Sequence, residues 1–520
     1  MHILPYDVTV LIFSFIPRYD CIQCLFVCRS WKDAVPVYTE RLWHRLSLQG
    51  SKDYSRELSF LHKCFGVHVK HVSIVSSRQD GRLDILLRML LAKGCTNIKS
   101  LALERSYLPY DTTSFIDCLQ RFRHLTRLLM NCLYLGGELT DLLSALVLKC
   151  PTLTHIILQD VTAHKITFDP MTPLQQPHQR TSSSSSSSAV NVNTNLVFLH
   201  VSYRWRQCSF RHLIPILSRC PNLRYLSVAG EKDLDGVIFD YCPKLAYIDW
   251  MFFTTRHKLS WIHHHWHPDN RIVETGIQDL SLFSYSNDII DDIIRRQLTR
   301  HIRRMSLDDM KDENDTITRL LQQCPSLQTI NLPSISSIQL LDMLARLTQL
   351  REINMRVVGQ HAAKSSQLAR FFSHTHSASC LHSVHLETDQ ALSSDAIVAM
   401  VHHLPNLRNI SLRPTELNEK ELLVLLHRVP LLETLRVENI KPSLSLSFFR
   451  QLITLPHLDS FHAAYTHLSS AGICLLADKM ANTLFSLTLS PFTTDNPQCI
   501  KYTEQRLKKG RFRYYHQEHC

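Results

Sequence analysis

An α/β fold is predicted: a three-helix block at the N-terminus, then a solenoid with a parallel sheet on its concave side and helices on its convex side. Three observations carry this reading. A compact apolar block, LPYDVTVLIFSFIPRYDCIQCLFVCRSW, fills Leu4 to Trp31. Past residue 65 one Leu-rich phrase keeps returning. Between its returns lie amphipathic stretches of helical length.

In the N-terminal block, Val8, Leu11, Ile12 and Phe15 fall at i, i+3, i+4 and i+7, one face of a helix. Pro5 suits a helix start and Pro17 a helix end. Asp20 with Gln23 reads as an N-cap and its capping-box partner. Cys21, Cys24, Leu25 and Cys28 then share one face of a second helix. Trp31 to Val35 makes a third helical piece, broken by Pro36. The amphipathic TERLWHRLSL (Thr39–Leu48) follows. The apolar faces are expected to turn together, and so small a core needs a partner helix or the first repeat to complete it. The block is expected to be a folded element and not a secretory leader, because Asp7 precedes the apolar run, no Lys or Arg does, and no small-residue cleavage site follows. No apolar stretch is long enough to span a bilayer.

The returning phrase is KCPTLTHIIL (Lys149–Leu158), RCPNLRYLSV (Arg219–Val228), YCPKLAYIDW (Tyr241–Trp250), QCPSLQTINL (Gln323–Leu332), HLPNLRNISL (His403–Leu412), RVPLLETLRV (Arg428–Val437) and TLPHLDSFHA (Thr454–Ala463). Degenerate copies bring the total to about sixteen, at a spacing near 26 residues over the last five. In L-x-L both apolar side chains point to the same side of a strand, since side chains alternate. The Leu three residues earlier turns inward as well, so each unit buries three side chains against its neighbours. Helix, turn and strand form one coil of a solenoid. Cys fits before Pro as a small buriable side chain, and Pro stops the helix and steers the chain into the strand.

Two insertions interrupt the array. ITFDPMTPLQQPHQRTSSSSSSSAV lacks the apolar surface to offset its ordering entropy, so disorder is expected over 170–192. IHHHWHPDN (Ile262–Asn270) reads as a polar loop.

The repeat resembles the leucine-rich repeats of the cysteine-containing type. The opening block resembles the F-box family: Leu4-Pro5, Asp7-Val8, Leu11-Ile12-Phe13, Ile16-Pro17, Asp20, Cys24, Val27-Cys28-Arg29 and Trp31 follow its pattern almost position for position. The expected layout is an F-box over 1–48, a linker or cap over 49–65, repeats over 66–490 and a basic tail over 491–520. The resemblance implies a substrate receptor of SCF-type cullin–RING ubiquitin ligases. Leu4, Pro5, Val8, Leu11, Ile12, Ile16, Pro17, Val27 and Trp31 would then form or support the surface that meets the ligase adaptor, and the repeats would hold a protein target. Such a receptor does no chemistry; it raises the effective concentration of a target lysine near a charged conjugating enzyme. The target-facing candidates are x residues of the repeat frame: Arg304, Ser306, Asp308, Glu352, Asn354, Arg356, His385, Glu387, Asn409, Ser411, Arg413, Thr434, Arg436 and Glu438. They mix both signs, so nucleic acid is not favoured as ligand.

Composition narrows the rest. Among 520 residues there are 16 Cys with no dense framework, which reads as reduced thiols in cytosol or nucleus. The net charge of +11 permits an acidic partner without demanding one. With 12 Gly and no GxGxxG or Walker A pattern, Gly-rich phosphate-binding folds are not favoured. C-x2-C-x3-C at Cys21, Cys24 and Cys28 has near iron–sulfur spacing, yet is read as buried thiols. No catalytic signature and no cofactor or metal site is expected. A leucine-rich scaffold or inhibitor unconnected to ubiquitin is the alternative, and RNA binding through the tail with Lys508, Lys509, Arg511 and Arg513 a third.

Overall fold

The computed structural model describes residues 5–25, 27–39, 43–49, 65–75, 83–109, 111–163, 195–203, 209–229, 234–251, 276–283, 287–308, 314–335, 337–358, 363–389, 391–414, 417–441, 443–507 and 512–516. The expected Ser-rich disorder at 170–192 and the His263–His267 cluster lie outside them. The chain divides into two units, Met1–Ile272 and Val273–Cys520.

The first unit begins with helices α1 (Tyr6–Ser14), α2 (Arg18–Cys24) and α3 (Arg29–Tyr38). Pro5 is the N-cap rather than the first helical residue, and its carbonyl accepts from both the Thr9 amide and the Thr9 hydroxyl at 3.1 Å. Asp20 lies inside the first turn of α2, not at its cap. Helix α3 continues through Pro36 to Tyr38, where the Thr39 amide still donates to the Val35 carbonyl at 2.9 Å. A proline lacks one donor and crowds the carbonyl four residues before it, yet here the helix runs on for two more residues. The small core is Phe13, Cys21, Leu25 and Val35. Phe13 meets the edge of Trp31 at 6.4 Å and stacks on Tyr38 at 6.2 Å.

Among the described residues, eight strands of this unit form its main parallel ladder: Arg45–Gln49, His71–Val75, Ser100–Glu104, Arg127–Asn131, His155–Ala163, Phe198–Tyr203, Tyr225–Ala229 and Tyr247–Met251. The sheet therefore starts inside TERLWHRLSL, ahead of the boundary expected at residue 66. Trp43 takes the place of the first Leu of the frame; it is buried, and its Nε1 donates to Thr39 Oγ1 at 2.9 Å. Register is kept apolar on apolar: Leu46, Val72, Leu101, Leu128, Ile156, Leu199, Leu226 and Ile248 lie side by side. A one-residue slip would turn that whole row to the other face, so burial pins the register.

The second unit repeats the plan: among its described residues ten strands form the main parallel ladder, from Asp279–Phe283 to Phe512–His516. Its last members are Ser486–Thr494, helix Gln498–Arg506 and Phe512–His516. The segment expected as a basic tail is thus one further coil, with Phe512 beside Leu487 and Tyr514 beside Leu489. Lys508, Lys509 and Arg511 lie outside the described residues, and Arg513 is exposed on the strand.

Cysteines before the turn fill one recurrent place. Cys95, Cys150, Cys220, Cys242 and Cys324 are all buried. Burial pushes their thiols up, to about 11 for Cys95 and Cys150, about 12 for Cys220 and Cys324, and further for Cys242.

A second recurrent place follows the strand. Arg105, Cys132 and Asp160 in the first unit, and Asn439 and Tyr465 in the second, have φ between 51° and 57°. This left-handed step turns the amide toward the next coil: Arg105 donates to Asn131 O at 2.8 Å and Asn439 to Ala464 O at 3.1 Å. Short secondary ladders then form, such as Tyr107–Leu108 with Tyr134–Leu135 and Leu417–Asn418 with Ile440–Lys441.

Candidate functional site

Two surfaces stand out, an apolar face on the N-terminal helices and a charged outer face on the strands of the second unit. On α1, Thr9 and Phe13 point into the core, while Val8, Leu11, Ile12 and Phe15 stand in solvent. The expectation that all the apolar faces turn together is overturned here: a helix this short uses one narrow edge inward and leaves the wider stripe outside. Leu11 is 58% exposed and Phe15 79%. Val27, in the turn before α3, is 65% exposed. Of the other candidates, Pro5 and Pro17 are exposed, Ile16 and Trp31 are half-buried, and Leu4 lies outside the described residues. Tyr6, 56% exposed, and Phe15 enlarge the stripe; neither was among the candidates, although Phe15 shares the heptad of the others.

The cysteine trio does not share one face. Cys21 is buried, Cys24 half-buried, and Cys28 is the exposed N-cap of α3, because the chain leaves the helix after Cys24. Among the described residues no group of three His, Cys, Asp or Glu is placed to hold a metal.

On the second unit the strand register gathers the target-facing candidates into rows. Asn354, His385, Ser411 and Arg436 lie side by side, as do Glu352, Asn409 and Thr434, with Ser383 between the first two of that second row. Arg356, Glu387 and Arg413 form the third row. Arg304 pairs with Asp279 at 3.7 Å, and Ser306 accepts from Asn331 Nδ2 at 2.8 Å, several strands away. Asp308 ends its strand beside Phe283. One candidate needs correcting: Glu438 is buried, 4% exposed, because Arg413 and Arg436 close over it.

That burial organises the charges. Glu438 Oε2 takes Arg413 Nε at 2.8 Å, and Oε1 takes Arg436 Nη2 at 2.9 Å. Glu387 Oε1 takes Arg356 Nε at 3.2 Å, and its Oε2 faces Arg413 Nη1 at 3.8 Å. Desolvation works to raise the Glu438 carboxyl, yet the two guanidinium hydrogen bonds outweigh it and hold the group below its ordinary value. His385 and His462 are held low, first by burial and then by Arg413 and Arg436.

The first unit differs. His155, Phe198, Tyr225 and Tyr247 stack across four strands, with Phe198 and Tyr225 4.2 Å apart and nearly parallel. Next to them His200 Nδ1 meets Ser227 Oγ at 2.9 Å, and Ser227 donates to Asp249 Oδ2 at 3.1 Å. The serine sits between the two others, so its proton points at the aspartate and not at the imidazole. A nucleophile needs the histidine in the middle. This trio is a buried polar ladder.

Residues 1–49 match the F-box-like family model. This segment is an F-box-like domain. Its exposed stripe is therefore the outer surface of α1 in an F-box-like domain, joined to strands that carry the leucine-rich-repeat frame. No curated protein matches the sequence. Among solved structures the chain is similar to an internalin from Listeria monocytogenes, at 12% identity and a TM-score of 0.36, over 84% of this chain and 96% of that one. It is also similar to TLR13 in its complex with ssRNA13, at 12% identity and a TM-score of 0.44, over 88% of this chain and 60% of that one. At that distance neither bears on function. Beyond the F-box-like domain, the repeat frame and its register alone carry the leucine-rich-repeat reading.

Proposed function

We propose that the protein is the substrate-recognition subunit of an SCF-type cullin–RING ubiquitin ligase, acting in cytosol or nucleus. Its F-box-like domain docks on the adaptor subunit, and its repeats hold the protein to be ubiquitinated. The observation that supports this is the bare stripe Val8, Leu11, Ile12 and Phe15 on a domain whose own core is already filled by Phe13, Cys21, Leu25 and Val35. Apolar side chains in this number on one short helix are the anchors of a helix-packing interface. In this reading the chain supplies no catalytic group; it places a target lysine within reach of a conjugating enzyme. Among the described residues no helix is long and apolar enough to cross a membrane.

The test is co-purification of the whole chain with the SCF adaptor subunit. Wild type is expected to retain it, and Leu11→Asp combined with Pro5→Ala to lose it. Equal retention by both proteins, or by neither, would remove the ligase reading and leave a scaffold or inhibitor that works without ubiquitin.

A further inference from the structure

The charged face of the second unit deepens that reading by naming what it would grip. Its guanidiniums are held on a frame of two carboxylates whose four oxygens all face Arg nitrogens. Glu438 lies beneath, its side chain 6% exposed, while Arg356, Arg436 and Arg413 remain 51%, 39% and 35% exposed. Three cations are thus offered outward around two carboxylates, of which Glu438 is enclosed and Glu387 is partly open, its side chain 33% exposed. A basic ligand would meet the three guanidiniums before it reached Glu387 or Glu438. An acidic one would complete guanidiniums that are already oriented.

Tyr465 stands at the rim of the same patch. It is 60% exposed and lies close enough to Arg413 to affect its ionisation. Tyr and Arg are also the residue types that dominate binding energy at interfaces.

The geometry points to Arg356, Arg413 and Arg436, framed by Glu387 and Glu438 and rimmed by Tyr465, as the seat of a carboxylate-rich peptide segment of the target. This rests on the receptor reading for its biological sense, but its chemistry is testable alone.

The experiment uses the whole chain and a fluorescent peptide of alternating Glu and Gly, with a Gln-for-Glu peptide as its neutral twin, read by anisotropy. Wild type is expected to bind the Glu peptide and to ignore the Gln twin. Arg413→Gln with Arg436→Gln should weaken binding by roughly tenfold or more. Arg356→Gln, whose side chain is the most exposed of the three, should weaken it several-fold with an unchanged melting temperature. Tyr465→Ala should also weaken it. Arg319→Gln with Arg370→Gln removes the same charge from the helices of this unit, and should leave binding within about twofold. Equal weakening by both double variants would mean that only net charge acts, and would overturn the proposal. So would equal binding of the Gln twin, or a single-stranded RNA that binds this face in preference to the peptide. The adaptor experiment separates the two readings. Retained adaptor with no peptide binding sinks this inference alone; peptide binding with no adaptor sinks the ligase reading alone.

Discussion

Phe15→Ala isolates the docking surface from the fold. The side chain is 79% exposed at the C-cap of α1, where φ is −89° and ψ −12°, a conformation that alanine adopts freely. Full burial of a Phe side chain contributes about 1.5–3 kcal/mol, so an interface covering the exposed four-fifths of this one gains about 1–2 kcal/mol from it. Truncation to Ala should therefore weaken adaptor binding roughly 5- to 30-fold. Folding should not notice, since a substitution away from the core stays within about 0.5 kcal/mol. The assay is titration calorimetry of the whole chain against the adaptor, with a thermal melt beside it. The reasoning fails if affinity is unchanged, or if the melting temperature falls by more than about 2 °C, because the side chain would then belong to the protein's own core.

Three other outcomes follow from the packing and the charges. Gly472 lies in the helix Ser470–Lys479, where an added Cβ would fall within 2.7 Å of Phe449 Cγ and Cε2 and closer still to Cδ2. Phe449 is fully buried against Phe448 and Phe461, so Gly472→Ala should lose about 1–2 kcal/mol by urea unfolding despite alanine's better helix propensity, and a gain in stability would contradict the contact. Glu438 has a folded-state pKa below its unfolded one, so its contribution is present above the unfolded pKa and is lost as pH falls through the folded value. Glu438→Gln should cost roughly 1–3 kcal/mol at pH 7 and flatten the stability profile below about pH 5; an unchanged profile would show that the carboxylate is not engaged. Finally, a maleimide reagent at pH 8 should modify the exposed Cys28 and Cys380 well before Cys95, Cys150, Cys220 or Cys324, whose thiols burial keeps protonated, as mass spectrometry of the native protein would show. Early labelling of Cys220 would refute the buried column.

Most of the architecture was written in a local code. L-x-x-L-x-L specifies strand, inward row and register together, because one alternation of side chains sets all three. Where a coil used other apolar residues the code was harder to see. Trp43, Leu46 and Leu48 keep the frame with an aromatic in its first place, and Phe512 and Tyr514 replace L-x-L in the last coil. The docking stripe was harder for a different reason. Periodicity shows that Val8, Leu11, Ile12 and Phe15 share a face, but not whether that face looks in or out. The buried edge is marked by Thr9 and Phe13, and Thr9 is not an apolar signal at all. Glu438 was misplaced because its alternation assigns it to the open face, whereas two arginines from its own and the adjacent strand cover it. Left-handed positions at Arg105 and Tyr465 gave no warning, since Gly or Asn ordinarily marks that step and only Asn439 does so here.

The matched rows of apolar side chains have a further consequence for how such a chain can change length. Thr434–Glu438 presents to Asn409–Arg413 the same spacing that Asn409–Arg413 presents to Ser383–Thr388. Excising one whole period between them would bring together edges that already fit, and duplicating one would insert a turn its neighbours can accept. The second unit is thus extensible in whole turns, although loss of the coil that carries Asn409–Arg413 would take Arg413 out of the arginine grid.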